Sequence, residues 1–121
     1  MRHLVHILEA ATGGTRRHLW HLATGLDPAR FRQTLIVSAL RDVSFRDDIA
    51  AYRARGLAVL EVPMTRSPSL RRDPAAALQI AALLRQLAPD VVHTHSSKAG
   101  LLGRWAATRA GVPLRIHSPH V

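Results

Sequence analysis

Apolar residues along this chain gather into short runs separated by stretches of helical period. Residues 3–8 (HLVHIL) predict a first strand, followed by a turn-rich segment, EAATGG, at 9–14. Leu19, Leu22, Ala23 and Leu26 then recur at i, i+3, i+4 and i+7, which predicts an amphipathic helix over 15–26, broken by Asp27-Pro28. Residues 34–39 (TLIVSA) are apolar without polar alternation, the pattern of a strand covered on both faces. A second helix follows, with Ser44 and Asp47 spaced as an approximate capping box and Phe45, Ile49 and Tyr52 as its apolar stripe. Gly56 stands where a helix end takes a left-handed residue, and 57–62 predict a third strand. After a loop at 63–72, Asp73 is expected to cap a third helix, with Pro74 in its first turn. Ile80, Leu83, Leu84 and Leu87 line the buried side of that helix, and Pro89 ends it. Val91-Val92 mark a fourth strand, and Ser96 or Ser97 starts a helix to about residue 109, closed by Gly111 and Pro113. Residues 114–117 predict a fifth strand.

Strands and helices that alternate with short connections imply parallel strands joined by right-handed crossovers. The expected fold is therefore an α/β doubly wound parallel sheet of about five strands, ordered 3-2-1-4-5. In such sheets a ligand sits beyond the C-terminal strand ends, at the switch point between strands 1 and 4. Three turns at that edge, 9–14, 93–98 and 117–120, carry the least ordinary residues in the chain.

Composition narrows the classes further. The 121 residues suit one domain, and with no cysteine a disulfide framework, a zinc finger and a thiol nucleophile are excluded. The expectation is a soluble domain of a reducing compartment, without a signal peptide or a membrane span. Lys and Arg number 17 against 8 Asp and Glu, for a formal net charge of +9, and Lys98 is the only lysine. The excess is spread over both halves. Arginine's planar fork suits phosphates and carboxylates, so nucleic acid, anionic lipid and phosphorylated small molecules all fit the charge.

The candidate chemistry lies in the edge turns. Gly13-Gly14 would let a backbone approach a ligand and present helix-start N–H groups to an anion, or would supply a turn of positive φ. The spacing is neither GxGxxG nor GxxxxGK[ST]. His93 and His95, two apart on a strand, face the same way and could chelate a metal if His117 or His120 supplied a third ligand; hydrogen bonding to a sugar hydroxyl, phosphate or backbone is the commoner use. Lys98, in a first helical turn, opposes the helix dipole and is expected to be solvated or paired with an anionic ligand. His6 reads as a core-edge histidine satisfied by the backbone, and His18 and His21 as packing groups beside Trp20. Arg66, Arg71 and Arg72 decorate the loop before the third helix. No Ser-His-Asp order, paired-carboxylate motif or HExxH is present. The residues alone thus support an anion-binding α/β domain and name no reaction.

Taken together, "HILEAATGGTRRHLWHLATGL", "VVHTHSSKAGLLGRWAA" and "GVPLRIHSPH" resemble the N-terminal half of retaining GT-B glycosyltransferases of the family 4 type. The HTHSSKAG-x-LGR stretch is the most specific part. The resemblance implies the acceptor-side member of two Rossmann-like domains that face each other across a cleft. The reaction implied is transfer of a sugar from a nucleotide-sugar donor to a glycan or lipid-linked acceptor, of the capsule, exopolysaccharide or cell-envelope type. It places Gly13 and Gly14 at the donor diphosphate, and His120 of "SPH" against the donor sugar as the catalytic-site residue. It also places His95, Ser96, Lys98 and Arg66 at the acceptor. Val121 stands where the family commonly has glycine. No cofactor or metal is implied. The donor domain, with its Glu-x7-Glu motif, is absent from this sequence and is expected in cis or in trans, so the chain alone is expected to be inactive. The implied location is the cytoplasm, with peripheral contact at the inner face of the membrane.

Three other readings fit parts of the chain. A stand-alone basic module binding anions or nucleic acid would explain +9, but the aromatic share of 4% leaves little for base stacking, and nucleic acid is not expected. A non-catalytic subunit of a split glycosyltransferase would explain the single half. A dinucleotide-dependent enzyme fits least, because the second strand reaches Ser38 without an acidic residue for a ribose.

Overall fold

The computed structural model describes residues 1–9, 13–40, 43–65, 69–95 and 97–118. In chain order the elements are β1 (Arg2–Leu8), α1 (Gly13–Gly25), β2 (Phe31–Val37), α2 (Phe45–Ala54), β3 (Ala58–Glu61), α3 (Arg72–Leu87), β4 (Val91–His95), α4 (Ser97–Ala110) and β5 (Leu114–Ser118). The five strands form one parallel sheet in the order β3-β2-β1-β4-β5, as the pattern predicts. The register sets Leu4 opposite Val91, His6 opposite His93 and Leu8 opposite His95.

Alternate residues of the central strands feed two cores, because successive side chains point to opposite faces. Val5, Ile7, Ile36 and Val92 pack beneath α3 and α4 against Ile80, Leu84, Leu102 and Ala106. Leu8, Leu35 and Val37 pack beneath α1 and α2 against Leu19, Ala23, Phe45, Ile49 and Tyr52. Both faces of β1 are therefore covered, which is why it reads as a continuous apolar run. On the α1 side of β5, Leu114 and Ile116 remain about half exposed.

The helix ends correct several expectations. Ser44 precedes α2 in a helical conformation and makes no side-chain cap; its hydroxyl instead accepts a hydrogen bond from Arg16 Nη1 at 2.9 Å. Asp73 does not cap α3 either, since the helix begins one residue earlier. The Ser69 hydroxyl accepts from the Arg72 N–H, and the Asp73 carboxylate accepts from the Ser69 N–H. Gly56 and Gly111 do take positive φ, 87° and 73°. So does Ala88, at φ 46°, between the end of α3 and Pro89. A proline disfavours right-handed helix in the residue before it, and here Ala88 ends the helix in the left-handed region without a glycine.

α4 lies unusually close to the sheet. A Cβ on Gly103 would stand 2.6 Å from Thr94 Cγ2, and one on Gly100 would run into the His117 ring. Ala99, Ala106 and Ala107 continue the small-residue face.

Candidate functional site

β1 and β4 are neighbours in the sheet, yet the chain leaves β1 toward β2 and β3 and returns to β4 from the other side. α1 begins at Gly13 after β1, and α4 begins at Ser97 after β4, so two helix N-termini flank the switch point. Neither helix has an acidic residue in its first turn. Helix starts of this kind leave N–H groups directed at an incoming anion.

Gly14 lies in the first turn of α1 with no positive φ, so a left-handed turn does not explain this glycine. Among the described residues, nothing stands within 4 Å of where its Cβ would be. Arg16, two residues on, turns away to α2, where Nε and Nη2 each meet an Asp48 carboxylate oxygen at 2.7 Å. The start of α1 is thereby tied to α2, and Gly14 is exposed.

Four histidines meet on the α1 side of the switch point. His6, His93 and His95 project from one face of β1 and β4, and His18 of α1 lies over them, its ring 5.9 Å from that of His95. His6 and His95 are fully buried, His93 is half-buried and His18 is exposed.

The tautomers follow from one amide. Gln33 Nε2 donates to the Ala23 carbonyl at 2.8 Å, which turns its Oε1 toward His6 Nε2 at 2.9 Å. His6 therefore carries its proton on Nε2 and offers the lone pair of Nδ1 to His95 Nε2, 3.4 Å away. Burial pushes the His6 pKa down to about 4, against the favourable bond from Gln33, and nearby His93 and His18 push it further. The result is a hydrogen-bonded relay from α1 through β2 and a neutral His6 in β1 to the end of β4. Its partner is a side chain, where the sequence suggested backbone.

One nitrogen from each of His6, His93 and His95 lies within 4.8 Å of the others, so these three could hold a cation. The 3.4 Å between His6 Nδ1 and His95 Nε2 is close to the roughly 3.3 Å that separates two nitrogens on a tetrahedral zinc ion. His117, expected as a third ligand, sits on the opposite face: its Nδ1 is 2.8 Å from Thr94 Oγ1, under Gly100.

Lys98 is neither solvated nor open. It is 8% exposed, and its ammonium lies 2.7 Å from both carboxylate oxygens of Asp73. Desolvation raises the Asp73 pKa, but the hydrogen bonds from Lys98 and the Ser69 N–H, with the Lys98 charge, hold it below the ordinary value. Sequence spacing could not reveal this pair, because 25 residues separate its members. Of the other expected site residues, His95 is buried within the relay, and Ser96, Arg66 and His120 lie outside the described residues. Glu9, buried at the end of β1, is the acidic residue closest in sequence to the glycine turn.

Residues 13–121 match the glycosyl transferase 4-like domain, and the chain belongs to that family. Over 57 residues it is 46% identical to the UDP-Gal:alpha-D-GlcNAc-diphosphoundecaprenol alpha-1,3-galactosyltransferase of Escherichia coli, which covers 47% of this chain and 15% of that protein. Among solved structures, a glycosyltransferase from Rickettsia africae superposes with a TM-score of 0.63 at 18% identity, over 95% of this chain and 28% of that one. The UDP-GlcNAc 2-epimerase of Neisseria meningitidis, bound to UDP-GlcNAc, gives the same TM-score at 12% identity, over 95% of this chain and 31% of that one. The chain thus spans less than a third of each of these proteins. The two structural likenesses establish the Rossmann-like fold.

Proposed function

We propose that this chain forms the acceptor-side half of a retaining glycosyltransferase that moves a sugar from a nucleotide-sugar donor to a lipid-linked glycan. The observation that carries the reading is membership of the glycosyl transferase 4-like family, with identity to the diphosphoundecaprenol-dependent galactosyltransferase of E. coli. The exposed Gly14 in the first turn of α1, beside the switch point, supports a role in approaching the donor diphosphate.

On this reading the nucleoside diphosphate departs as an acceptor hydroxyl attacks the same face of the sugar, which retains the anomeric configuration. The N–H groups at Gly13 and Gly14 stabilise the charge developing on the leaving phosphate, an electrostatic effect that can supply several kcal/mol. His120 holds the donor sugar. Ser96 and Arg66 contribute to acceptor binding. His95 and Lys98, both buried, act by positioning: the relay sets the end of β4, and the Asp73–Lys98 pair sets the start of α4. The donor-binding half is supplied in cis or in trans, and this half alone does not turn over. The enzyme works at the inner membrane face, where a lipid-linked acceptor is reached from the cytoplasm.

Deleting the gene in its own cell and reading the lipid extract by mass spectrometry tests the proposal. Accumulation of a lipid-linked glycan one sugar short, reversed by complementation, is the expected result. An unchanged lipid-linked pool would contradict it.

A further inference from the structure

His6, His93 and His95 occupy a face of the sheet that is otherwise apolar. Leu8 and Leu35 share that face and pack with Leu19 and Ala23 of α1. Burying three imidazoles in such a place costs free energy that a bound cation would offset.

The cluster has the build of a ligand set. The register pairs His6 with His93 directly and puts His95 two residues further along the same face. Two paired strands, rather than a loop, thus bring a nitrogen of each histidine within 4.8 Å of the others. Gln33, itself held by the Ala23 carbonyl, accepts the Nε2–H of His6 at 2.9 Å and leaves the Nδ1 lone pair directed at His95 Nε2. A histidine fixed through its other nitrogen by a carbonyl oxygen is the arrangement that orients imidazoles at metal centres. With His6 and His95 already spaced as two ligands of one ion, the half-buried His93 has to close in by no more than about 1.5 Å.

The donor set also chooses the ion. Imidazoles suit zinc and its first-row neighbours, whereas magnesium and calcium require oxygen ligands. His93 is half-buried and His18 exposed, so an ion has a way in from the α1 side.

We propose that His6 Nδ1, His95 Nε2 and one nitrogen of His93 form a zinc site at the switch point, oriented by Gln33, with its fourth position open toward His18. The ion takes the place of the proton that His95 Nε2 shares with His6, and His95 carries its proton on Nδ1 instead. Bound there, zinc clamps β1 to β4 at the ligand-binding edge. The site involves no substrate and stands independently of the proposed reaction.

The test is zinc binding by the gene-encoded protein carrying no histidine tag, stripped with EDTA and titrated in competition with a chromogenic chelator. One zinc per chain is expected, with a rise in Tm of at least about 5 °C at saturating zinc that EDTA reverses. Magnesium at the same concentration should give no rise. His93→Ala removes a half-buried ligand and should weaken binding at least about tenfold; Gln33→Leu, which removes only the orienting amide, should weaken it about 10–100-fold. His21→Ala, exposed on α1 and outside the cluster, should bind as the wild type does. Melting curves in EDTA check that each variant folds. In nitrogen-15 spectra, zinc should leave the His6 proton on Nε2 and move the His95 proton to Nδ1. Absence of stoichiometric zinc, unchanged affinity in His93→Ala or Gln33→Leu, an equal loss in His21→Ala, or an unchanged His95 tautomer would overturn the inference. Zinc binding with this variant pattern in a protein that transfers no sugar would support the site and remove the reaction.

Discussion

Asp73 grips Lys98 with both carboxylate oxygens 2.7 Å from the ammonium nitrogen, joining the first turn of α3 to the first turn of α4 beside the switch point. A lysine at a helix start is unfavourable by itself, and the carboxylate removes that penalty while accepting the Ser69 N–H. The pair fixes the approach of two helices whose N-termini lie at the ligand-binding edge.

Breaking this pair from one side should cost more than removing it. Asp73→Asn leaves a buried ammonium without its counter-charge and should lower stability by about 3 kcal/mol, whereas Asp73→Asn with Lys98→Met should recover part of that loss. Urea unfolding midpoints of the two single variants and the double variant check the prediction. Equal loss in single and double variants would show that the pair is not coupled.

Acid should destabilise the protein through His6. Its folded pKa of about 4 lies below the ordinary histidine value of 6.5, so between these the unfolded chain binds the proton and the folded chain does not. The stability is complete above pH 6.5 and is lost as pH falls toward 4, a total of about 3 kcal/mol. The lowered pKa of Asp73 acts in the same direction at more acid pH. Unfolding free energies across this range should show the slope, and His6→Gln should flatten it.

Two glycines should respond in opposite ways. Gly103→Ala places a methyl against Thr94 and Ile7 in a closed core and should cost about 1–3 kcal/mol. Gly14→Val meets no neighbouring atom among the described residues and should shift stability by under about 1 kcal/mol. On the proposed role, the same change should lower transfer about a hundredfold in the complete enzyme, the scale of a misplaced reacting group. Thermal melts and initial rates on both variants separate the packing glycine from the site glycine.

The fold was legible because its signals are local. The apolar runs at Val5–Leu8 and Leu35–Val37, the stripe of Phe45, Ile49 and Tyr52, and the glycines at 56 and 111 each report on their own few residues. The family was legible in the stretch after β4. What stayed hidden depends on distant partners. His6 meets Gln33 27 residues away, Lys98 meets Asp73 at 25, and Ser44 gives its hydroxyl to Arg16 rather than to its own helix.

Sugar transfer to a lipid-linked acceptor, the proposed reaction, is tested most directly by product mass. The gene-encoded protein, with its donor-binding half in cis or in trans, is incubated with a panel of nucleotide-sugars and a polyprenyl-diphosphate-linked N-acetylhexosamine. One donor should add the mass of one sugar to the acceptor, and His120→Ala should slow that gain about a hundredfold. No mass gain with any nucleotide-sugar, or a wild-type rate in the His120 variant, would contradict the account.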